Sequence, residues 1–147
     1  QAQPLPQDAR RARHGVRLVS DTIPDEGLLP EPAEGLTPGT GADAATLALV
    51  HVPLPASDVV SGDPTTAVPP LALLGGTEVG IWEMTPGTAS DTETDEVFVV
   101  LAGRARIAFD DPDLPDLDVS PGSVVRLAEG QRTVWTVTET LRKIYIA

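Results

Sequence analysis

The residues able to do chemistry lie between Trp82 and Tyr145. Glu96 follows a polar run, GTASDTETD, and six residues, VFVVLA, separate it from Gly103. If this carboxylate turns inward, Phe98 and Val100 turn with it, because side chains two apart on a strand share a face. An inward glutamate is a general acid/base, a ligand or a cation anchor, and enclosed it needs a partner. Lys143, the one lysine of the sequence, supplies an ammonium that pairs with such a carboxylate or holds an anionic ligand. Trp82 and Trp135 offer ring walls for a planar or apolar ligand, or bulk for a core. Thr133 shares a face with Trp135 and Val137. The catalytic candidate is therefore Glu96, and the ligand-binding candidates are Trp82, Phe98, Thr133, Trp135 and Lys143. Glu83 offers Lys143 a second acidic partner. The two histidines sit apart, His14 in RRARHG and His51 in the apolar run LALVHVP, where it reads as a satisfied strand residue. There is no cysteine, so thiolate metal sites, disulfides and cysteine nucleophiles are excluded. No phosphate loop, serine-nucleophile elbow, HExxH or EF-hand pattern occurs.

These residues need strands to position them. From Leu71 onward short β-forming runs alternate with turn residues. Strands are expected over Glu78–Met84, Glu96–Ala102, Arg104–Phe109, Leu117–Val119, Ser123–Leu127, Arg132–Thr138 and Leu141–Ile146. Pro86-Gly87, Gly103, Asp110–Pro115, Pro121-Gly122, Glu129-Gly130 and Glu139-Thr140 should separate them, and 88–95 reads as a polar loop. Such spacing indicates an all-β sandwich, jelly roll or barrel. Upstream, eleven of the fifteen prolines lie at or before Pro70. Proline removes a backbone donor and fixes φ, so this part cannot be mainly helix or central sheet. Val16–Ser20 and Thr46–Val52 are its candidate edge strands. Residues 1–45 read as a proline-rich extended arm and 46–147 as a β-barrel.

The formal net charge of −12 excludes nucleic acid and anionic membrane as main partners, since both call for a basic surface. Aromatic residues are only 3%, so aliphatic side chains must fill the core. No apolar run reaches the ~18 residues of a membrane span. QAQPLPQDARRARHG has no apolar stretch of a leader, and the cytoplasm is the expected compartment. Arg10, Arg11, Arg13 and Arg17 form a basic cluster that reads as a flexible basic tail or as a docking arm for the acidic barrel of a second subunit.

Glu96 to Gly103 resembles the first motif of the cupin superfamily, and Gly122-SVVRL-Ala128-Glu129-Gly130-Gln131-Arg132-Thr133 resembles the second. More narrowly, residues 77–147 resemble the small ureidoglycine aminohydrolase-like cupins. The similarity rests on Gly80-Ile81-Trp82-Glu83, Thr85-Pro86-Gly87, Asp95-Glu96, Leu101-Ala102-Gly103, Pro121-Gly122, Thr133, Trp135 and Arg142-Lys143-Ile144-Tyr145. The resemblance implies a single jelly-roll barrel and pairing as a homodimer. Where metal-binding cupins carry two histidines before the glutamate, this chain has Ser90 and Thr92, or Ala89 and Asp91 in the register one residue longer. Thr133 takes the place of the later histidine. Aminohydrolase members hold a metal with His, Glu and Gln. Here only Glu96 stands in place, with Gln131 two residues before the last ligand position. The expectation is thus a metal-independent cupin that binds a small molecule, with no metal and no cofactor. The alternative is a metal-free enzyme, an isomerase or cyclase, or an aminohydrolase-like hydrolase with an altered site, using Glu96 as acid/base.

Overall fold

The computed structural model describes residues 35–147. Most of the expected arm, the strand expected at Val16–Ser20, the four arginines from 10 to 17 and His14 lie outside the described residues. The strands are β1 (Val52–Pro53), β2 (Val59–Ser61), β3 (Thr65–Ala67), β4 (Pro70–Leu74), β5 (Thr77–Met84), β6 (Gly87–Thr92), β7 (Glu96–Phe109), β8 (Leu117–Val119), β9 (Val124–Leu127) and β10 (Arg132–Ile146). Every ladder is antiparallel. Among the described residues there is no α-helix, and so none long and apolar enough to cross a membrane. The fold is an all-β jelly-roll barrel.

Two long strands organise it. The first half of β10 lies between β6 and β7, and its second half lies between β5 and β7. The N-terminal half of β7 takes β9 on its other edge, and the C-terminal half takes β8. Each strand thus passes from one wall of the barrel to the other. The separate strands expected on either side of Gly103, and on either side of Glu139-Thr140, are continuous. The expected turn at Glu139-Thr140 is instead a set of register shifts in the β7–β10 ladder, between Val137 and Lys143. A bulge bends a strand and keeps its pairing, which a turn would end.

The bulge at Gly103 also resets which side chains face in. Before it, Glu96, Phe98 and Val100 are buried; after it, Ala105 and Ile107 are. The inward positions change from even to odd, while β10 keeps odd positions inward on both sides of an exposed Glu139, from Thr133 to Val137 and from Leu141 to Tyr145. Gly103 has φ +90°, and a Cβ there would run into the carbonyl of Thr140. On β5, Gly80, Trp82 and Met84 face inward. Gly80 has no side chain because Tyr145, opposite it in the ladder, lays its ring across that position. The interior is then filled mainly by aliphatic side chains from β5, β7, β9 and β10, each worth about 1.5–3 kcal/mol when fully buried.

Two further expectations need correction. The polar run at 88–95 is not a loop throughout, since Gly87–Thr92 forms β6 between β10 and β2. Its short hydroxyl and carboxyl side chains need no apolar pattern, because neighbours on both edges supply the ladder bonds. Thr46–Val52 is not a strand; only Val52 joins β1. Its backbone is held by a side chain instead. Arg142 Nη1 donates to the carbonyls of Ala44 and Leu47, both at 2.9 Å. Arg142 Nε also donates to Glu83 Oε2 at 2.5 Å, and His51 Nε2 lies 2.7 Å from Glu83 Oε1. Burial pushes the Glu83 carboxyl up, but the bonds from Arg142 and His51 outweigh it and hold Glu83 below 4.5. Glu83 and Arg142 face each other in the β5–β10 ladder, on the side away from Trp82 and Lys143.

Replacing Gly103 by alanine should lower the urea midpoint by the equivalent of about 2 kcal/mol or more, from backbone strain and the clash with Thr140. An alanine variant as stable as the parent would show that the bulge does not depend on glycine.

Candidate functional site

The centre of the barrel holds an ion pair inside an aromatic box. Lys143 Nζ donates to Glu96 Oε1 at 2.9 Å, and the two side chains are only 2% and 0% exposed. The ammonium lies 4.1 Å from the ring centroid of Phe98, 4.7 Å from that of Trp82 and 4.8 Å from that of Trp135. The three rings also pack on one another. Trp82 and Trp135 are tilted at 49° with centroids 5.4 Å apart, and Phe98 and Trp135 at 42° and 5.6 Å. A desolvated cation over aromatic faces gains about 2 kcal/mol or more, which offsets part of the cost of burying it. The ladder brings these groups together, since Lys143 is opposite Trp82 on β5 and opposite Val100 on β7, one turn of the pleat from Phe98.

Beside this box stands a second carboxylate that sequence reasoning missed. Glu93, 1% exposed, follows β6. Its Oε1 accepts from the Thr133 hydroxyl at 2.6 Å and from Trp135 Nε1 at 2.9 Å. Thr133 and Trp135 are thereby both committed to Glu93. The one available signal was a glutamate in a polar run near two donors of known inward parity. It did not say which strand the run would join.

Asp91 was visible only as one of two possible registers. The structure chooses that register: Ala89 is buried and Asp91 half-buried on the inward side of β6, while Ser90 and Thr92 are exposed. Asp91 lies opposite Thr133 in the ladder. Burial, then the nearby Glu93 charge, raise its carboxyl from 3.8 to about 8, against a bond from the Thr92 amide and the attraction of Lys143. At neutral pH Asp91 is mostly a neutral carboxylic acid.

Two spaces meet at Asp58, Ser90 and Asp91. An inner cavity of about 30 Å³ is bordered by Trp82, Trp135, Lys143, Asp91 and Glu93, among others. An outer crevice of about 620 Å³ is lined by Asp58, Ser90, Asp91, Thr92, Phe109, Asp110, Arg132 and Thr133, among others. The site residues expected from the sequence divide accordingly. Trp82, Trp135 and Lys143 border the inner cavity, Thr133 borders the crevice, and Glu96 and Phe98 border neither. Neither space takes in all six, since the lysine side chain and its rings occupy the barrel centre. Glu83 faces outward to Arg142 and His51 rather than toward Lys143.

The donors do not fit a transition metal of the kind cupins carry. The motif glutamate is held by an ammonium, and the inward positions before it are Ala89 and Asp91. Thr133 is bonded to Glu93. His51 is bound to Thr65 and Glu83, on the side of β5 away from the interior. Gln131 Oε1 accepts from the amide of Ala128 in the turn before β10. Among the described residues no three His, Cys, Asp or Glu side chains converge as a metal site requires.

Breaking the pair should be costly. Lys143→Met and Glu96→Gln should each destabilise by about 3–5 kcal/mol in urea titrations, and the double variant by clearly less than the two together. Additive losses would contradict a paired core. For Asp91 the folded value lies above the unfolded one, so its contribution is complete below about pH 4 and lost as pH rises to about 8. Asp91→Asn keeps the shape of the neutral acid. Its stability relative to the parent should rise between pH 5 and 9, by less than the ceiling of about 1.4 kcal/mol per pH unit. A difference independent of pH would contradict the assigned protonation.

The comparisons agree with this architecture. A protein of unknown function from Pseudomonas syringae pv. tomato has a TM-score of 0.60 at 24% identity, covering 69% of this chain and 45% of its own. One of unknown function from Rhizobium leguminosarum bv. viciae has a TM-score of 0.50 at 23% identity, covering 55% and 78%. The EutQ protein of Clostridium difficile has a TM-score of 0.49 at 23% identity, covering 56% and 61%. The chain thus spans less than two thirds of the Pseudomonas and Clostridium proteins. For the Pseudomonas and Rhizobium proteins, at these identities, the likeness is one of fold. No curated protein matches the chain. The family model for the EutQ-like cupin domain matches residues 71–145. It takes in both motif segments, the aromatic box and the Lys143–Glu96 pair, and the chain belongs to the EutQ-like cupin family.

Proposed function

We propose that this cupin binds a small molecule without a metal, and that the ligand sits in the outer crevice at Asp91 rather than in the barrel centre. The observation that carries the reading is the contrast between the two spaces that meet there. About 30 Å³ is room for one water, whereas about 620 Å³ falls within the roughly 300–1,000 Å³ usual for small-molecule sites. The Lys143–Glu96 pair and its three rings then act as the floor of the site. Trp135 and Thr133 connect the floor to the crevice through Glu93.

One observation favours a second reading, a metal-free acid–base enzyme such as an isomerase or cyclase. Asp91 is a carboxylic acid with a value near neutral pH at the wall of a crevice, the condition for effective general acid catalysis. Glu96, proposed above as the acid/base, is enclosed with Lys143, so the role passes to Asp91 in this reading. An aminohydrolase-like metal hydrolysis finds no support in the donor set.

A crystallographic fragment soak tests the main reading. Hits should cluster at Phe109, Thr133 and Asp91, and Phe109→Ala should weaken them. Hits in the barrel centre displacing Lys143, or none in the crevice, would overturn it. Elemental analysis of the purified protein should return well under one equivalent of Mn, Fe, Ni or Zn. A stoichiometric metal lost on Glu96→Ala would contradict the metal-independent part.

A further inference from the structure

We propose that the crevice selects a small organic cation, an ammonium or amidinium group carried on an apolar or aromatic body. This rests on the crevice being the binding site. The charge of the lining is the first argument. Asp58, Asp91 and Asp110 present three carboxyl groups against one guanidinium, Arg132. The second is shape and surface. Phe109 gives the crevice a ring face, and a ring beside a carboxylate is a favourable seat for an ammonium or a planar amidinium. The third is the chain's own precedent. In the adjoining inner space, the same interior holds the ammonium of Lys143 with one carboxylate and three rings. An anionic ligand would meet Asp58 and Asp110 in the lining, with Glu93 in the inner space beside Asp91.

The protonation of Asp91 gives this selectivity a signature. The groups acting on it are Glu93 at the end of its own strand, Glu96 on β7 and Lys143 on β10, with Asp58, Asp110 and Arg132 around the crevice. A bound cation favours the carboxylate form, so binding near neutral pH expels the Asp91 proton. Affinity should then rise about tenfold per pH unit up to about pH 8 and level off above it. A ligand that only accepts a hydrogen bond from the acid would show the opposite trend.

The test compares three probes of one shape on the full chain: benzamidine, benzamide and benzoate. Binding is followed by calorimetry and by amide NMR shifts at Phe109 and Thr133, at pH 6, 7 and 9. Benzamidine should shift these residues and bind at least tenfold more tightly than either isostere. Its affinity should rise about tenfold from pH 6 to 7, and Asp91→Asn should abolish that rise. Asp58→Asn should weaken benzamidine at every pH. Benzamide or benzoate binding at these residues as tightly as benzamidine overturns the cation selectivity and leaves the crevice as the site. Silence from all three probes overturns the selectivity as well. If the fragment soak also leaves the crevice empty, the reading beneath it falls too.

Discussion

The structure depends on a buried cation. Lys143 carries the one ammonium of the sequence into the middle of a barrel, where a lone charge would be prohibitively expensive. Three features make it tolerable, and each sets a constraint elsewhere. Glu96 must face inward on β7, which requires even inward parity there. The odd parity of Ala105 and Ile107 then requires a bulge between them, and Gly103 supplies it. Trp82, Phe98 and Trp135 must come from three different strands, which requires β10 to run beside β5 in one half and β6 in the other.

That arrangement closes the part of a cupin barrel where a ligand would be sought first. The space moves outward to the end of β6 and the start of β10, where Asp91 stands between a filled interior and an open crevice. Glu93 joins the two regions: one carboxylate oxygen fixes a threonine and a tryptophan that belong to different spaces. On the outer side of β5 and β10, Glu83 and Arg142 face each other one step from Trp82 and Lys143. They bind the segment around Ala44 and Leu47 to the outer wall. Adjacent residues in one ladder thus serve an inner and an outer network of opposite purpose.

Much of this was legible in the sequence, and the rest was hidden for identifiable reasons. Alternation alone placed Phe98 and Val100 with Glu96, and Trp135 with Thr133. The Gly–Glu–Gly frame named the superfamily that the family match supports. Parity could not show that Trp82, Phe98, Trp135 and Lys143 fill the centre instead of lining a cavity, because filling depends on how far the lysine reaches. The β6 strand was hidden because GTASDT has no apolar alternation and gains its order from β10 and β2. The choice between Ser90 and Asp91 depended on how the chain turns between Thr92 and Glu96, a local geometry that two equally polar registers do not distinguish. Thr46–Val52 has the composition of a strand, but an arginine 95 residues away holds its backbone at Leu47. The segment 1–34, with its arginines, lies outside the described residues.

The most direct measurement uses the fact that the sequence has one lysine. A protein labelled only at lysine gives a single set of side-chain resonances, free of overlap. With three aromatic rings around the ammonium, the ε-methylene protons of Lys143 should be shifted well upfield of an exposed lysine, by an amount that Glu96→Gln changes. The ammonium protons should exchange slowly with water. Lysine resonances at the positions of an exposed side chain, unaffected by Glu96→Gln, would show that the barrel centre is open and would contradict the account.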